Sequence, residues 1–273
     1  MVDNRYATAL VIGSVLSLLA SVYLSVAVGT QHWYQYRSPP PSNDANNGSE
    51  LQHLKEDFRR EEVDDILYGR ALIYLNGSLG LWWRCILVPH LENHRLPLKF
   101  HLFLSLSLSF CVDTPRKHLH MVSECKAFTL PQQFETKYRN VTGGREKEED
   151  YLRTVLWRCR FIFPLVSLSL VFLAALVGVC ACLCRSLTPT LFVGLLHLLA
   201  GLCSLATVCC FLAGQDLLHK VLDPPGDVHL SLGWSLYLAL ISSPLQMMAA
   251  ALFTWAARSH RKNYTRMTAY RVA

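Results

Sequence analysis

The sequence predicts a membrane protein of the all-α class, a four-helix transmembrane bundle carrying a strand-and-turn domain outside the bilayer. Three observations lead there. Four apolar windows are each long enough to cross a membrane, the polar stretch between the first two is too large to be a mere connector, and basic residues gather on the segments that would then lie inside the cell. Of 273 residues, 52 % are hydrophobic and only 17 % charged, whereas a soluble domain is nearer a quarter charged.

A span needs about 20 largely apolar residues. Ala7–Val28, Phe161–Leu183, Thr190–Ala213 and Leu232–Ala257 qualify, and none contains Asp, Glu, Lys or Arg. Each must be helical, because hydrocarbon offers no partner to an unpaired backbone group. The expected order is a cytosolic N-terminus (1–6), helix 7–28, an extracellular loop 29–160, helix 161–183, a cytosolic turn 184–189, helix 190–213, a second extracellular loop 214–231, helix 232–257 and a basic cytosolic tail 258–273. A cleaved signal peptide is the rival for the first window, with Arg5 as its basic start and Ala27-Val28-Gly29 as a cleavage site. A signal core is usually ~7–15 residues, shorter than this run, so a span is expected.

Charge sets the orientation. With both termini cytosolic, the inner segments carry Arg5, Arg185, Arg258, Arg261, Lys262, Arg266 and Arg271 against Asp3 alone. The stretch Arg37–Arg158 is nearly balanced, with 17 basic and 16 acidic residues, and the later loop sets Lys220 against Asp216, Asp223 and Asp227. This is the positive-inside asymmetry. The formal net charge of +6 therefore reads as an anchor to acidic lipid rather than a nucleic-acid footprint.

The large loop opens with Trp33-Tyr34-Gln35-Tyr36, aromatic residues suited to the membrane interface. Ser38–Glu50 reads as a flexible insert. Leu51–Asp65 reads as a short surface helix, with Leu51, Leu54 and Phe58 at helical spacing. Gly80-Leu81-Trp82-Trp83-Arg84-Cys85 is a tryptophan-rich turn ending in a cysteine. Phe100–Val112 alternates with period two and predicts a half-buried strand, and Gly143–Asp150 is a polar lead-in to the second span. The loop domain is thus expected to be mostly strand and turn. Sequons at Asn47, Asn76 and Asn140 all fall within it, while Asn263 lies in the tail and should stay unmodified.

Within the spans, Gly13, Ser17, Ser21, Ser25 and Gly29 form a small-residue stripe, and Ala174 and Gly178 repeat the spacing. Such stripes let helices approach closely in lipid. They read as packing inside the bundle, with self-association along the membrane as the alternative. Pro244 should kink the fourth helix, with Ser242 or Ser243 placed to satisfy freed backbone groups. His197 and Gln246 are the clearest polar groups at membrane depth, and interhelical hydrogen bonding is their expected role.

The ten cysteines divide by compartment. Cys85, Cys111, Cys125 and Cys159 lie outside or at the outer boundary, where disulfides persist. Cys85 and Cys125 both fall in predicted strand regions, which favours that pair, but four cysteines allow three pairings and sequence alone does not choose. Cys159 borders a span and reads as a buried thiol. Cys180, Cys182 and Cys184 beside Arg185 are candidate palmitoylation sites. Cys203, Cys209 and Cys210 read as small apolar residues. His118 and His120 lack a third ligand at metal spacing, and no phosphate-binding loop, nucleophile elbow or paired-carboxylate motif occurs. The expectation is no enzyme, no metal and no cofactor.

Trp33, then Gly80-Leu81-Trp82 with two residues before Cys85, then a second loop cysteine, resembles the extracellular signature of the claudin and peripheral myelin protein superfamily. The likeness extends to Asp3–Ala9, Leu156-Trp157-Arg158-Cys159, Cys180–Leu187, His197–Cys203 and Ala269–Ala273, so it covers most of the chain. It implies a left-handed four-helix bundle bearing a small extracellular antiparallel β-sheet, with a disulfide joining Cys85 to Cys125. It also implies a plasma-membrane protein at cell–cell contacts that restricts passage of small solutes between cells. The implied partners are membrane lipid and other copies of itself or claudin-like proteins, in cis or in trans, through Trp82, Trp83 and strand edges. Neither nucleic acid nor a small-molecule substrate is implied. Service as an auxiliary subunit of a channel or receptor is the alternative that the superfamily also supplies. Three features depart from the pattern: the first loop is longer, residues from Arg95 to His120 with Cys111 look inserted, and the tail ends Arg271-Val272-Ala273 in place of Tyr-Val. Tyr264-Thr265-Arg266-Met267 resembles a tyrosine-based sorting motif.

Overall fold

The computed structural model describes residues 4–39, 45–60, 65–90, 120–134, 144–184, 188–224 and 226–272. In chain order the elements are α1 (Asn4–Gly29), β1 (Tyr34–Arg37), α2 (Ala45–Arg59), α3 (Asp65–Tyr74), β2 (Ser78–Leu79), β3 (Trp83–His90), β4 (His120–Ala127), α4 (Leu130–Phe134), α5 (Gly144–Cys184), α6 (Thr188–Leu222), β5 (His229–Leu232) and α7 (Trp234–Val272). Helices α1, α5, α6 and α7 contain the four apolar spans. In the bundle α1 packs along α7, α7 along α6 and α6 along α5, while α1 meets α5 only lightly. Val11, Val15, Leu18, Phe172, Leu176 and Trp255 point outward and exposed. In water such a belt would be a liability; against lipid it costs nothing, because the tails are as apolar as the side chains.

The helices outrun the apolar windows. At 1.5 Å per residue, the 41 residues of α5 reach about 60 Å, twice the ~30 Å hydrocarbon core. The last turns of α6 stand beside the sheet, where Gln215 and His219 meet Tyr36 of β1, and α5 meets the loop domain through Trp157 and Phe161. β1 follows α1, α5 follows β4 and α4, and β5 joins α6 to α7, so every sheet element sits at one end of the bundle. The sheet is antiparallel, in the order β4-β3-β2-β1-β5. Its longest pair is β3 with β4, in a register that sets Cys85 opposite Cys125.

The loop domain is more helical than the reading of strand and turn. α2 matches the predicted surface helix and buries Phe58 completely, but it starts at Ala45, inside the stretch expected to be a flexible insert. Once the Leu51–Phe58 face is anchored, extending a helix backward fixes one residue per added bond, which is cheap beside nucleation. α3 went unread because it is buried on more than one side. Tyr68, Ala71, Leu72 and Ile73 are all inside, so no clean 3.6-residue stripe survives in the sequence. It ends in a left-handed residue, Asn76 at φ 50°, and the Gly77 N–H closes onto the Leu72 carbonyl at 2.7 Å. That is a Schellman-type cap with Asn in the glycine position.

The predicted strand Phe100–Val112, the first-loop residues Cys111 and His118, and Asn140 lie outside the described residues, as does the stretch that looks inserted apart from His120, which opens β4. In α7 the helix runs through Pro244 from Trp234 to Val272. Ser242 donates to the Ala239 carbonyl within the helix, and Ser243 donates across to Gly201 on α6 at 2.9 Å. One of the two serines thus serves the neighbouring helix. Pro164 lies inside α5 as well.

Candidate functional site: the stapled sheet and its footing

The tryptophan-rich turn is held from all sides by backbone bonds. The Gly80 N–H donates to the Trp83 carbonyl at 2.7 Å, the Phe128 N–H to the Trp82 carbonyl at 2.8 Å, and the Trp33 N–H to the Leu79 carbonyl at 3.1 Å. Gln133, fully buried in α4, donates its Nε2 to the Leu81 carbonyl at 3.3 Å. Position 80 requires glycine because of a close approach: a Cβ there would sit 2.5 Å from the Thr30 carbonyl oxygen and 2.8 Å from the Gln31 Cα. The turn passes directly over the end of α1, and any side chain would push it off.

Each signature residue then has a place. Trp33 is fully buried; its indole N–H donates to the Ala27 carbonyl at 2.7 Å and its ring lies 5.0 Å from Phe211 of α6. Leu81 is buried. Trp82 stands edge-on to Phe161 of α5 at 4.6 Å. Trp33 and Trp82 are thus pegs that fix the sheet to the spans, whereas Trp83 is 39 % exposed and faces outward. Cys85 and Cys125 are disulfide-bonded, the pair that the resemblance implies.

On one face of β3, Arg84, Ile86 and Val88 are all buried. The Arg84 guanidinium lies 3.3 Å over the Tyr68 ring of α3 and 4.8 Å from Phe128. Arg160 of α5 is buried in the same manner, 3.4 Å over Trp157 and 5.6 Å from Phe211. Aromatic faces are what let a guanidinium sit at this depth, since its hydration is weak and its charge attracts the ring quadrupole. In the sequence Arg84 figures only as part of the tryptophan-rich turn and as a loop charge, and Arg160 has no assigned role.

α2 is strapped to the sheet by charge. Arg59 meets Glu124 of β4 in a two-point contact, Nε–Oε1 at 2.7 Å and Nη2–Oε2 at 2.9 Å. Lys126 donates to the Arg59 and Arg60 carbonyls, capping the negative end of the helix dipole. The hydrogen bonds from Arg59 hold the Glu124 carboxyl below the usual carboxylate range. Burial pushes the His32 imidazole down and the Tyr34 phenol up. Tyr36 is pushed up further by burial and then by Tyr34, while donating to Gln215 of α6 at 3.1 Å.

α4 was absent from the sequence reading, although a signal exists. Thr129 and Gln132 have the spacing of a capping box, and the Thr129 N–H donates to the Gln132 Oε1 at 3.1 Å. Of the sequons, Asn76 is half-buried in the α3 cap and its Oδ1 accepts the Ser38 N–H at 2.6 Å. Asn47 falls in the first turn of α2, with its side chain outside the described set. Cys180 is an exposed free thiol. Cys182 and Cys184 end α5, and Tyr264 and Met267 lie within α7, but their side chains are not among those described.

Inside the spans, His197 and Gln246 do bond across helices. The His197 Nδ1 lies 3.0 Å from the Gln246 Oε1 and 3.4 Å from the Ser17 hydroxyl, and Gln246 donates to Ser21. The imidazole stacks on Phe253 at 5.1 Å. The small-residue stripe of α1 serves this seam, because a Cβ on Gly13 would meet Phe253 of α7 at 3.3 Å. Its remaining members, Ser25 and Gly29, are exposed.

Four apolar helices, an antiparallel sheet stapled at Cys85–Cys125, and a glycine turn over the end of α1 define the architecture. The family described as PMP-22/EMP/MP20/Claudin tight junction matches residues 18–255. That stretch runs from α1 into the last span and includes the sheet, so the chain belongs to the PMP-22/EMP/MP20/claudin family of membrane proteins.

Proposed function

We propose that this protein acts without catalysis at plasma-membrane cell–cell contacts, where its sheet domain restricts the passage of small solutes between cells. Both termini are cytosolic in this reading and the sheet faces outward. The observation that carries it is the rigid mounting of the sheet on the spans: Trp33 and Trp82 seat on Phe211 and Phe161. A barrier element must hold its outer surface fixed relative to the membrane, and these contacts supply that. The outward-facing Trp83 and the edge strands β4 and β5 are the surfaces offered to other copies or to related proteins, in the same or the opposing membrane. The basic residues at the opposite end and the disulfide at the sheet end support the orientation.

Expression in epithelial cells with few junctions tests the proposal. Flux of a small uncharged tracer should fall, with the protein concentrated at contacts. Surface expression with unchanged flux would reject the barrier role and favour an auxiliary subunit of a channel or receptor. Glycans at Asn47, Asn76 or Asn140 and acyl groups at Cys180, Cys182 or Cys184 belong to the same reading. They are checked by glycosidase shift and by acyl-exchange labelling.

A further inference from the structure

Beyond Cys85 and Cys125, the sheet end of the bundle holds a second cysteine pair, shared by two spans. Cys159 and Cys210 are free and half-buried. The antiparallel register of α5 and α6 brings them together. One turn toward the sheet, Leu156 lies against Gly214, where a Cβ would be 3.9 Å away. Two turns toward the opposite end, the Ser167 hydroxyl is 2.9 Å from that of Ser204 and 2.8 Å from the Ala200 carbonyl. Between these contacts Cys159 and Cys210 lie at the same level of the α5–α6 seam, both half-buried. The backbones run close here, so neither helix must move far to join them. Cys209 neighbours the pair but is exposed.

We propose that Cys159 and Cys210 are a reversible redox pair that closes into a disulfide between α5 and α6 under a peroxide. Both lie near the sheet end of their apolar windows, within reach of small oxidants from the water layer. The Cys85–Cys125 bond shows that disulfides form at this end. In the first step one thiolate attacks a peroxide oxygen, breaking the O–O bond to give a sulfenic acid and, after protonation, one water. The second thiolate then attacks the sulfenic sulfur; the S–S bond forms and the hydroxyl leaves as a second water. Two thiols lose two electrons, hydrogen peroxide takes them up, and both thiol protons end in water. The closed pair ties α5 to α6 beneath Trp157 and Phe211, the floor on which the sheet rests.

The test uses the purified full chain in detergent, so its outcome is independent of orientation in the cell. Hydrogen peroxide treatment, alkylation of remaining thiols and non-reducing peptide mass spectrometry should yield a Cys159–Cys210 linked peptide that dithiothreitol removes. Peroxide should also raise the melting temperature of the wild type and of Cys209→Ser, and leave that of Cys210→Ser unchanged. If Cys210→Ser does not fold, the linked peptide in wild type and in Cys209→Ser decides alone. Recovery of both thiols alkylated after peroxide, or a link from Cys159 to Cys209, overturns the proposal.

Discussion

At the scale of single residues, the signature is a set of steric and hydrogen-bonding requirements. A Cβ on Gly80 would sit 2.5 Å from the Thr30 carbonyl oxygen. Gly80→Ala should therefore cost about 2–4 kcal/mol, a clash between backbones that no rotamer relieves, and thermal unfolding of the purified chain will show it. Trp33→Ala removes a fully buried ring and its bond to Ala27; about 3–5 kcal/mol is expected. Asn76 calls for care in any glycosylation test, because it caps α3 in a left-handed turn and accepts from Ser38. Asn76→Gln would remove the sequon and break the cap together. Ser78→Ala removes the sequon alone, so it should abolish any glycan at Asn76 while leaving the melting temperature nearly unchanged.

At the scale of elements, β3 and β4 are joined across 40 residues by Cys85–Cys125. Closing a loop of that length is worth roughly 4 kcal/mol in the chain-entropy model. Cys85→Ser and Cys125→Ser should both be retained in the secretory pathway, and normal surface delivery of both would contradict this. The α2–β4 strap responds to acid. Arg59 depresses the folded-state pKa of Glu124, so the strap contributes above the unfolded carboxylate value of ~4.3 and is lost as pH falls through the lower folded value. Burial likewise lowers His32, so its share begins to fade below about pH 6.5. Hydrogen exchange in α2 should rise only in the lower window, and Glu124→Gln should flatten that rise. These elements also show where the sequence was readable. The spans were legible because crossing hydrocarbon takes about 20 largely apolar residues in a row, and α2 because Leu51, Leu54 and Phe58 mark one face at helical spacing. α3 buries most sides and α4 is a single turn, so neither leaves a stripe; only the Thr129–Gln132 cap marked α4. The Trp33–Cys85 signature was legible by resemblance, whereas the stacking of Arg84 and Arg160 on rings depends on partners far apart in the chain.

At the scale of the whole molecule, the seam of Ser17, Ser21, His197 and Gln246 joins α1, α6 and α7. His197→Leu keeps the stack on Phe253 apolar but leaves the Gln246 carbonyl without its donor, for a loss of about 1–2 kcal/mol in detergent melts. The 41-residue α5 has a consequence for the assembled membrane. It is one continuous helix with Pro164 inside it, held by hydrocarbon along its apolar stretch and meeting the loop domain through Trp157, Arg158 and Phe161. A rod longer than its hydrophobic layer answers a change of bilayer thickness by leaning, and whatever is bolted to its upper half must lean with it. Reconstitution in lipids of graded acyl length should therefore swing the sheet relative to the bilayer normal, making local lipid composition a dial on the angle at which one cell presents this surface to the next.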